Sequence, residues 1–301
     1  MVFLVTGCFG FIGKRMCDFL IANNHKVFGM DIKNTGSIQS KNFVFIGFDF
    51  SIAREQLKQN RIDVVFHFAW CGVSTSDKND PSKQFKNISL TYEILELVKE
   101  IGAKRIVIPG SVSEFSKCNK AVTGLEKDSP SDLYAATKVS IRKIVSQFCK
   151  TNGLDYNWAL ITSVYGGERN DNNLLTYTIN NLLNNKEVLT TKLEQLWDYL
   201  YIDDLIPGLY LIGTKGKKNT IYPIGSGRIE QLNYYVNYIA NYLEKKELLR
   251  IGALEYKNKY IDNSIVDITR IRKLGFKCQK PFETNIVDVI SYYEKVKNHE
   301  Q

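Results

Sequence analysis

Gly7, Gly10 and Gly13 lie between two differently patterned stretches, and that arrangement constrains the fold more than any other feature of the chain. Val2 to Val5 is an apolar run that reads as a buried strand, and Lys14 to Asn23 carries apolar residues at helical spacing. A strand, a glycine turn and a helix in succession let backbone N–H groups and a helix N-terminus approach a pyrophosphate. Three glycines can also make no more than a tight, closely packed turn. The context favours the first reading. The turn directly follows a strand, and Asp31 ends the next apolar run, Lys26 to Met30, where a carboxylate would meet an adenosine ribose.

Strands and helices alternate beyond it. Phe43 to Asp49 reads as a third strand, Ile52 to Asn60 as a short helix, and Asp63 to Ala69 as a continuously apolar fourth strand, as expected of a parallel strand covered on both faces. Pro81 to Ile101 reads as one long helix. Arg105 to Pro109 is a fifth strand ending at Gly110 and Ser111. Leu133 to Lys150 is a helix with a C-cap signal at Asn152 and Gly153, and Tyr156 to Ile161 is a sixth strand. The expected fold is therefore α/β, a Rossmann-type doubly wound parallel sheet with ligands at the carboxyl ends of its strands. After Tyr165 the pattern is less regular. Asn170 to Lys186 holds a loop and a helix, Leu196 to Ile202 an aromatic-rich strand, Ile221 to Gly227 a strand and turn, and Gln231 to Lys246 a helix. The expected division is a dinucleotide-binding domain of residues 1–163 with about 196–222, and a smaller, discontinuous C-terminal substrate domain of about 164–195 and 223–301.

At 301 residues the chain has ample apolar content for a core. No run approaches the roughly 18 apolar residues that span a bilayer. Met1 leads straight into the first strand, so no signal peptide is expected. The six cysteines are scattered and include no C-x-x-C, and the three histidines show no ligand spacing. A cytoplasmic protein without a metal site is the expectation. The net charge of +8 is dispersed, so nucleic acid is not an expected partner.

Tyr134 and Lys138 supply the chemistry. Four residues apart, they share a helix face. A lysine ammonium near a phenol oxygen lowers the phenol pKa from about 10, making it a proton donor or acceptor near neutral pH. Such a pair alone usually marks an exposed helix face. Here it opens the helix after the fifth strand, whose end carries Ser111, a donor for a substrate oxygen.

The glycine fingerprint, Ser111 and Tyr134-x-x-x-Lys138 resemble the extended short-chain dehydrogenase/reductase family, in its group of nucleotide-sugar epimerases, dehydratases and 4-ketoreductases. The resemblance covers almost the whole chain. His67-Phe-Ala69, Asn87 to Thr91, Ser163-Val-Tyr-Gly166 and Trp197 to Asp204 are similar to further family segments. It implies that Gly7, Gly10 and Gly13 hold the cofactor pyrophosphate with Phe11 and Ile12 N–H groups, and that Asp31 binds the ribose and favours NAD. Lys33 leaves NADP open. Asp49 and Phe50 would border the adenine, and Ala69 and Trp70 the rest of the cofactor. Tyr134 and Lys138 would do chemistry and hold the nicotinamide ribose. Ser111, Ser113, Ser163, Trp197 and Arg228 would meet a nucleotide-diphosphate sugar. The family's paired helices imply a homodimer through residues 81–101 and 133–150.

The departures narrow the reaction. The family's dehydratases place an acidic pair just after the Ser111 position, where this chain has Val112 and Ser113. Ser163 replaces an asparagine, and Trp197 an arginine, so a phosphate contact would fall to Arg169, Arg228 or Arg250. The remaining segments are similar to 4-ketoreductases of deoxysugar biosynthesis, such as CDP-abequose synthase and the deoxytalose dehydrogenases. The leading expectation is a 4-keto-(deoxy)hexose reductase, with Tyr134 as general acid and Ser111 polarising the carbonyl. An NAD-retaining 4-epimerase uses the same residues, and a non-catalytic cofactor sensor is the distant alternative.

Overall fold

The computed structural model describes residues 1–116, 118, 120–167, 173–256 and 263–299. Apolar runs become the strands β1 (Val2–Thr6), β2 (Lys26–Met30), β3 (Phe43–Phe45), β4 (Val64–His67), β5 (Arg105–Ser111) and β6 (Asp155–Ile161), joined at one edge by Thr220–Ile224. They form one seven-stranded sheet in the order Thr220–Ile224, β6, β5, β4, β1, β2, β3, with every pairing parallel. The order reverses between β1 and β4, so the carboxyl ends of these two strands open the crevice where such sheets take ligands.

Helices α1 (Phe11–Ala22), α2 (Phe50–Lys58), α3 (Pro81–Gln84), α4 (Lys86–Glu100) and α5 (Leu133–Asn152) connect these strands. Gly153 ends α5 at φ 66°, a left-handed cap that favours glycine. Three expected elements differ. The Pro81–Ile101 helix breaks at Phe85, because the buried Asn87 amide donates to the Cys71 and Lys83 carbonyls and intrudes on the ladder. The Phe43–Asp49 strand stops at Phe45, and Asp49 instead caps α2 by accepting the Ser51 and Ile52 N–H groups. The Leu196–Ile202 strand splits at Asp198. Leu196–Trp197 pairs with Glu230–Gln231, and Tyr199–Tyr201 with Ser163–Tyr165. The fully buried Asp198 carboxylate accepts the N–H groups of Ser226 and Gly227 and the Ser226 hydroxyl, which ties the break to that turn.

A second apolar cluster gathers the helices Leu174–Leu183, Leu232–Tyr242 and Phe282–His299. At its centre Phe282 lies 4.7 Å from the ring of Tyr235 and 5.3 Å from that of Tyr165. Among the described residues, no helix is long and apolar enough to cross a membrane.

Candidate active site

The glycine turn closes on itself at the end of β1. Gly10 N–H donates to the Gly7 carbonyl at 3.0 Å, and Gly7 N–H to Met30 at 2.8 Å. Gly7 has φ +69°, and a Cβ there would lie 2.7 Å from the Ala69 nitrogen. A Cβ on Gly13 would lie 1.9 Å from the Gly7 oxygen. Both positions therefore exclude any side chain, which brings backbone to the surface of the turn. Phe11 and Ile12 are the first residues of α1, with the helix N-terminus beneath the turn. Asp31 follows β2 and accepts the Phe9 N–H at 2.9 Å and the Ile32 N–H at 2.8 Å. Each of its oxygens has a lone pair left for a hydroxyl. Lys33 is exposed in the loop beyond.

Thr6 and His67 brace this turn from below. Their side chains meet at 2.7 Å, and Thr6 Oγ1 also accepts the Ala69 N–H at 3.3 Å. Burial, and then the charge of Lys138, push the His67 pKa down to about 3. The imidazole is a neutral strut. Asp49 and Phe50 start α2, beyond β3, and the Asp49 carboxylate is held below its usual range, first by the Ser51 hydroxyl and then by its two cap N–H groups.

Tyr134, Lys138 and Trp70 come together. Tyr134 opens α5, with its N–H donating to the Lys78 carbonyl at 2.8 Å. The Trp70 and Tyr134 rings meet edge-on, with centroids 5.8 Å apart. The Lys138 ammonium stands against both rings. It lies over the Trp70 ring, 3.4 Å from the centroid, and 5.7 Å from that of Tyr134. It donates to the Pro109 carbonyl at 2.9 Å. Burial pulls its pKa down to about 7, against the pull of Glu114.

Pro109 ties Lys138 to the end of β5, where Ser111 and Ser113 hydroxyls meet at 2.8 Å. Ser111 Oγ also accepts the Ser113 N–H at 3.3 Å, so its own proton can go to Ser113 or to a substrate oxygen. Below them Glu114, fully buried, accepts from Ser111 N–H at 2.9 Å, Trp158 Nε1 at 3.0 Å and Arg142 Nε at 2.7 Å. Arg142 also bonds Asp128. Burial raises the Glu114 pKa and Arg142 opposes it. Two sequence signals could have revealed this support. Ser111-x-x-Glu114 is a capping box, and Arg142 stands one turn beyond Lys138 on the same helix.

The more distant residues are scattered. Ser163 begins a short strand beside Tyr199. Trp197 pairs with Glu230, and its Nε1–H is buried with no hydrogen-bond partner among the described residues. Arg228 is half-exposed and paired: it donates to Glu230 at 3.1 Å, Glu283 at 2.7 Å and the Tyr234 hydroxyl at 2.9 Å. Its charge is met by two carboxylates, a pairing that the sequence does not reveal. Arg250 is likewise paired, with Glu187 at 2.6 Å. Arg169 lies outside the described residues.

The sequence model of the NAD dependent epimerase/dehydratase family matches residues 3–225. The chain belongs to this family.

Relatives within the epimerase/dehydratase family carry different activities. The UDP-glucuronate 4-epimerase of Thermodesulfobacterium geofontis is 26% identical over 90% of this chain and 89% of its own length. CDP-abequose synthase of Yersinia pseudotuberculosis is 24% identical over 86% of this chain and 89% of its own. The UDP-glucose 4-epimerase of Thermotoga maritima, solved with UDP-glucose, superposes with a TM-score of 0.85 at 22% identity, covering 98% of this chain and 99% of that one. The last comparison shows a shared fold.

The NAD of the family name fits the residues present. The side-chain-free cradle at Gly7, Gly10 and Gly13 would hold a pyrophosphate on the α1 N-terminus, and Asp31 would hold a ribose diol.

Proposed function

We propose that the protein is an NAD(H)-using oxidoreductase of nucleotide-activated sugars that reduces a 4-keto-(deoxy)hexose. The observation that carries this reading is the juxtaposition at the carboxyl end of β5. Lys138 reaches the strand end that bears Ser111 through Pro109 and lies against the Tyr134 ring, and the acid there, Glu114, is locked by Arg142, Trp158 and the Ser111 N–H. No acid stands at Val112 or Ser113 to abstract a proton for dehydration. NAD(H), when bound, supplies the hydride. Ser111 donates a hydrogen bond to the carbonyl oxygen at sugar C4, and Tyr134 delivers the proton to that oxygen as it becomes an alcohol. Lys138 favours the ionised phenol that remains. Residues 1–163 with about 196–222 serve the cofactor in this reading. Residues of about 164–195 and 223–301 serve the nucleotide sugar, with Ser163 and Trp197 as its contacts. Exposed Phe85, Tyr92 and Ile144 on α3–α5 support a homodimer through these helices.

The test is NADH or NADPH oxidation by purified protein with nucleotide 4-ketohexoses. Absence of oxidation with every one of them refutes the reductase. The second reading is a 4-epimerase, favoured by Asp31 and by relatives named as epimerases. It requires NAD to be released on denaturing the purified protein.

A further inference from the structure

A lysine that is 4% exposed needs compensation for its ammonium group. Among the described residues, Lys138 has one hydrogen bond, to Pro109, at 2.9 Å. The acid that favours its charge, Glu114, is already bonded to Arg142 at 2.7 Å. The ammonium also lies on the face of Trp70, 3.4 Å from the ring centroid. The Trp70 Nε1–H is buried and has no hydrogen-bond partner among the described residues, while the ring face meets the ammonium. That same ring meets Tyr134 edge-on at 77°. Trp70 thus touches both members of the pair, and its indole N–H has no partner among the described residues.

We propose that Trp70 is a positioning residue of the active centre, whose indole face holds the Lys138 ammonium in place beside Tyr134. The proposal rests on the reading of Tyr134 and Lys138 as the catalytic pair. A cation over an aromatic ring is drawn by the ring quadrupole, most strongly for tryptophan and where water is excluded. Burial lowers the Lys138 pKa, whereas an aromatic face against the ammonium favours the charged form. Among the described residues, the other titratable groups around the ammonium are Tyr134, Glu114 and the neutral His67, with Lys78 across the Tyr134 ring at 5.6 Å. Leucine at position 70 would keep apolar bulk without a ring face, and phenylalanine would keep a weaker face.

The experiment is an NMR titration of cofactor-free protein labelled with 13C at lysine Cε, with the Lys138 signal assigned through Lys138→Arg. Trp70→Leu should lower the Lys138 midpoint by about 1 pH unit, and Trp70→Phe by less, with unchanged circular dichroism. An unchanged or raised midpoint in folded Trp70→Leu overturns the proposal and makes Trp70 a packing residue. If Trp70→Leu does not fold, Trp70→Phe decides by the same criterion. The titration needs no turnover, so it is independent of whether the wild type consumes cofactor, and a failure to do so removes the reductase reading alone. In active protein, the alkaline limb of kcat/KM should move to lower pH in Trp70→Leu and stand closer to wild type in Trp70→Phe.

Discussion

Trp158 donates its indole N–H to Glu114 at 3.0 Å across a space that Gly110 leaves open. A Cβ on Gly110 would lie 1.9 Å from Trp158 Nε1 and 2.6 Å from Glu114 Oε1. Glu114 in turn holds the Ser111 N–H and Arg142. The position of the candidate catalytic serine is thus set by a buried acid, and the acid by a missing methyl group in the strand above it.

Gly110→Ala should therefore be costly although the change is small. The methyl displaces Trp158 and strips a hydrogen bond from a buried carboxylate, for a loss of roughly 2–4 kcal/mol. Urea unfolding measures it. Ser111→Ala, which keeps the backbone N–H that Glu114 uses, should lose less than about 1 kcal/mol while impairing turnover. Equal stability losses in the two variants would contradict this account of the network.

Gly13→Ala tests the cofactor cradle. Its methyl would meet the Gly7 oxygen at 1.9 Å, so the turn must open. Affinity for NAD should fall at least about tenfold, read by fluorescence titration. Gly153→Ala is the control. Gly153 has φ +66° with nothing within 4 Å of an added Cβ, so it should lose about 1 kcal/mol of stability and no cofactor affinity. Loss of affinity in both variants would mean that the effect comes from global destabilisation.

These positions show which parts were legible in the sequence. The buried parallel strands announce themselves because both faces are covered, as at Val64–His67, where every residue is buried. The glycines of the turn are legible because their spacing between strand and helix has few other uses. Boundaries fail where one side chain redirects the backbone over a distance. Asn87 breaks a helix through Cys71, sixteen positions away, and Asp198 splits a strand through Ser226. The pairing of Arg228 with Glu283, fifty-five positions on, likewise leaves no local signal. Lys138 is found by its spacing from Tyr134, but its resting place on Trp70 depends on where β4 ends relative to α5, which no local pattern records.

His67 predicts a specific acid sensitivity. Its folded pKa is lowered to about 3 by burial and then by Lys138, from an ordinary value of 6.5. Between those values the unfolded chain takes up a proton that the folded protein refuses. Stability should then fall as pH drops from 6.5 toward 3, by about 1.4 kcal/mol per pH unit from this residue, with no contribution above 6.5. His67→Gln should be less stable at pH 7, having lost the Thr6 contact, yet show a shallower decline between pH 6.5 and 4 in urea melts. A parallel decline in both proteins would show that His67 titrates normally.

Lys138 predicts a conflict between activity and stability. Burial lowers its folded pKa from the ordinary 10.5 to about 7. Below pH 7 the lysine is charged in both states, and the folded protein bears the whole penalty of burying the ammonium. As pH rises from 7 to 10.5 the folded lysine is neutral while the unfolded one remains charged, and the penalty shrinks by about 1.4 kcal/mol per pH unit. Lys138→Met removes the ammonium and keeps contact with Trp70, leaving only the Pro109 carbonyl without its donor. At pH 6 it should be more stable than wild type by on the order of 1–3 kcal/mol, with the gain fading toward pH 10, and it should be inactive. Denaturation at pH 6 and pH 9 separates the terms. A variant that is less stable at both values would mean that Trp70 and Pro109 together outweigh the burial of the charge, and that the lysine contributes to the fold as well as to the chemistry.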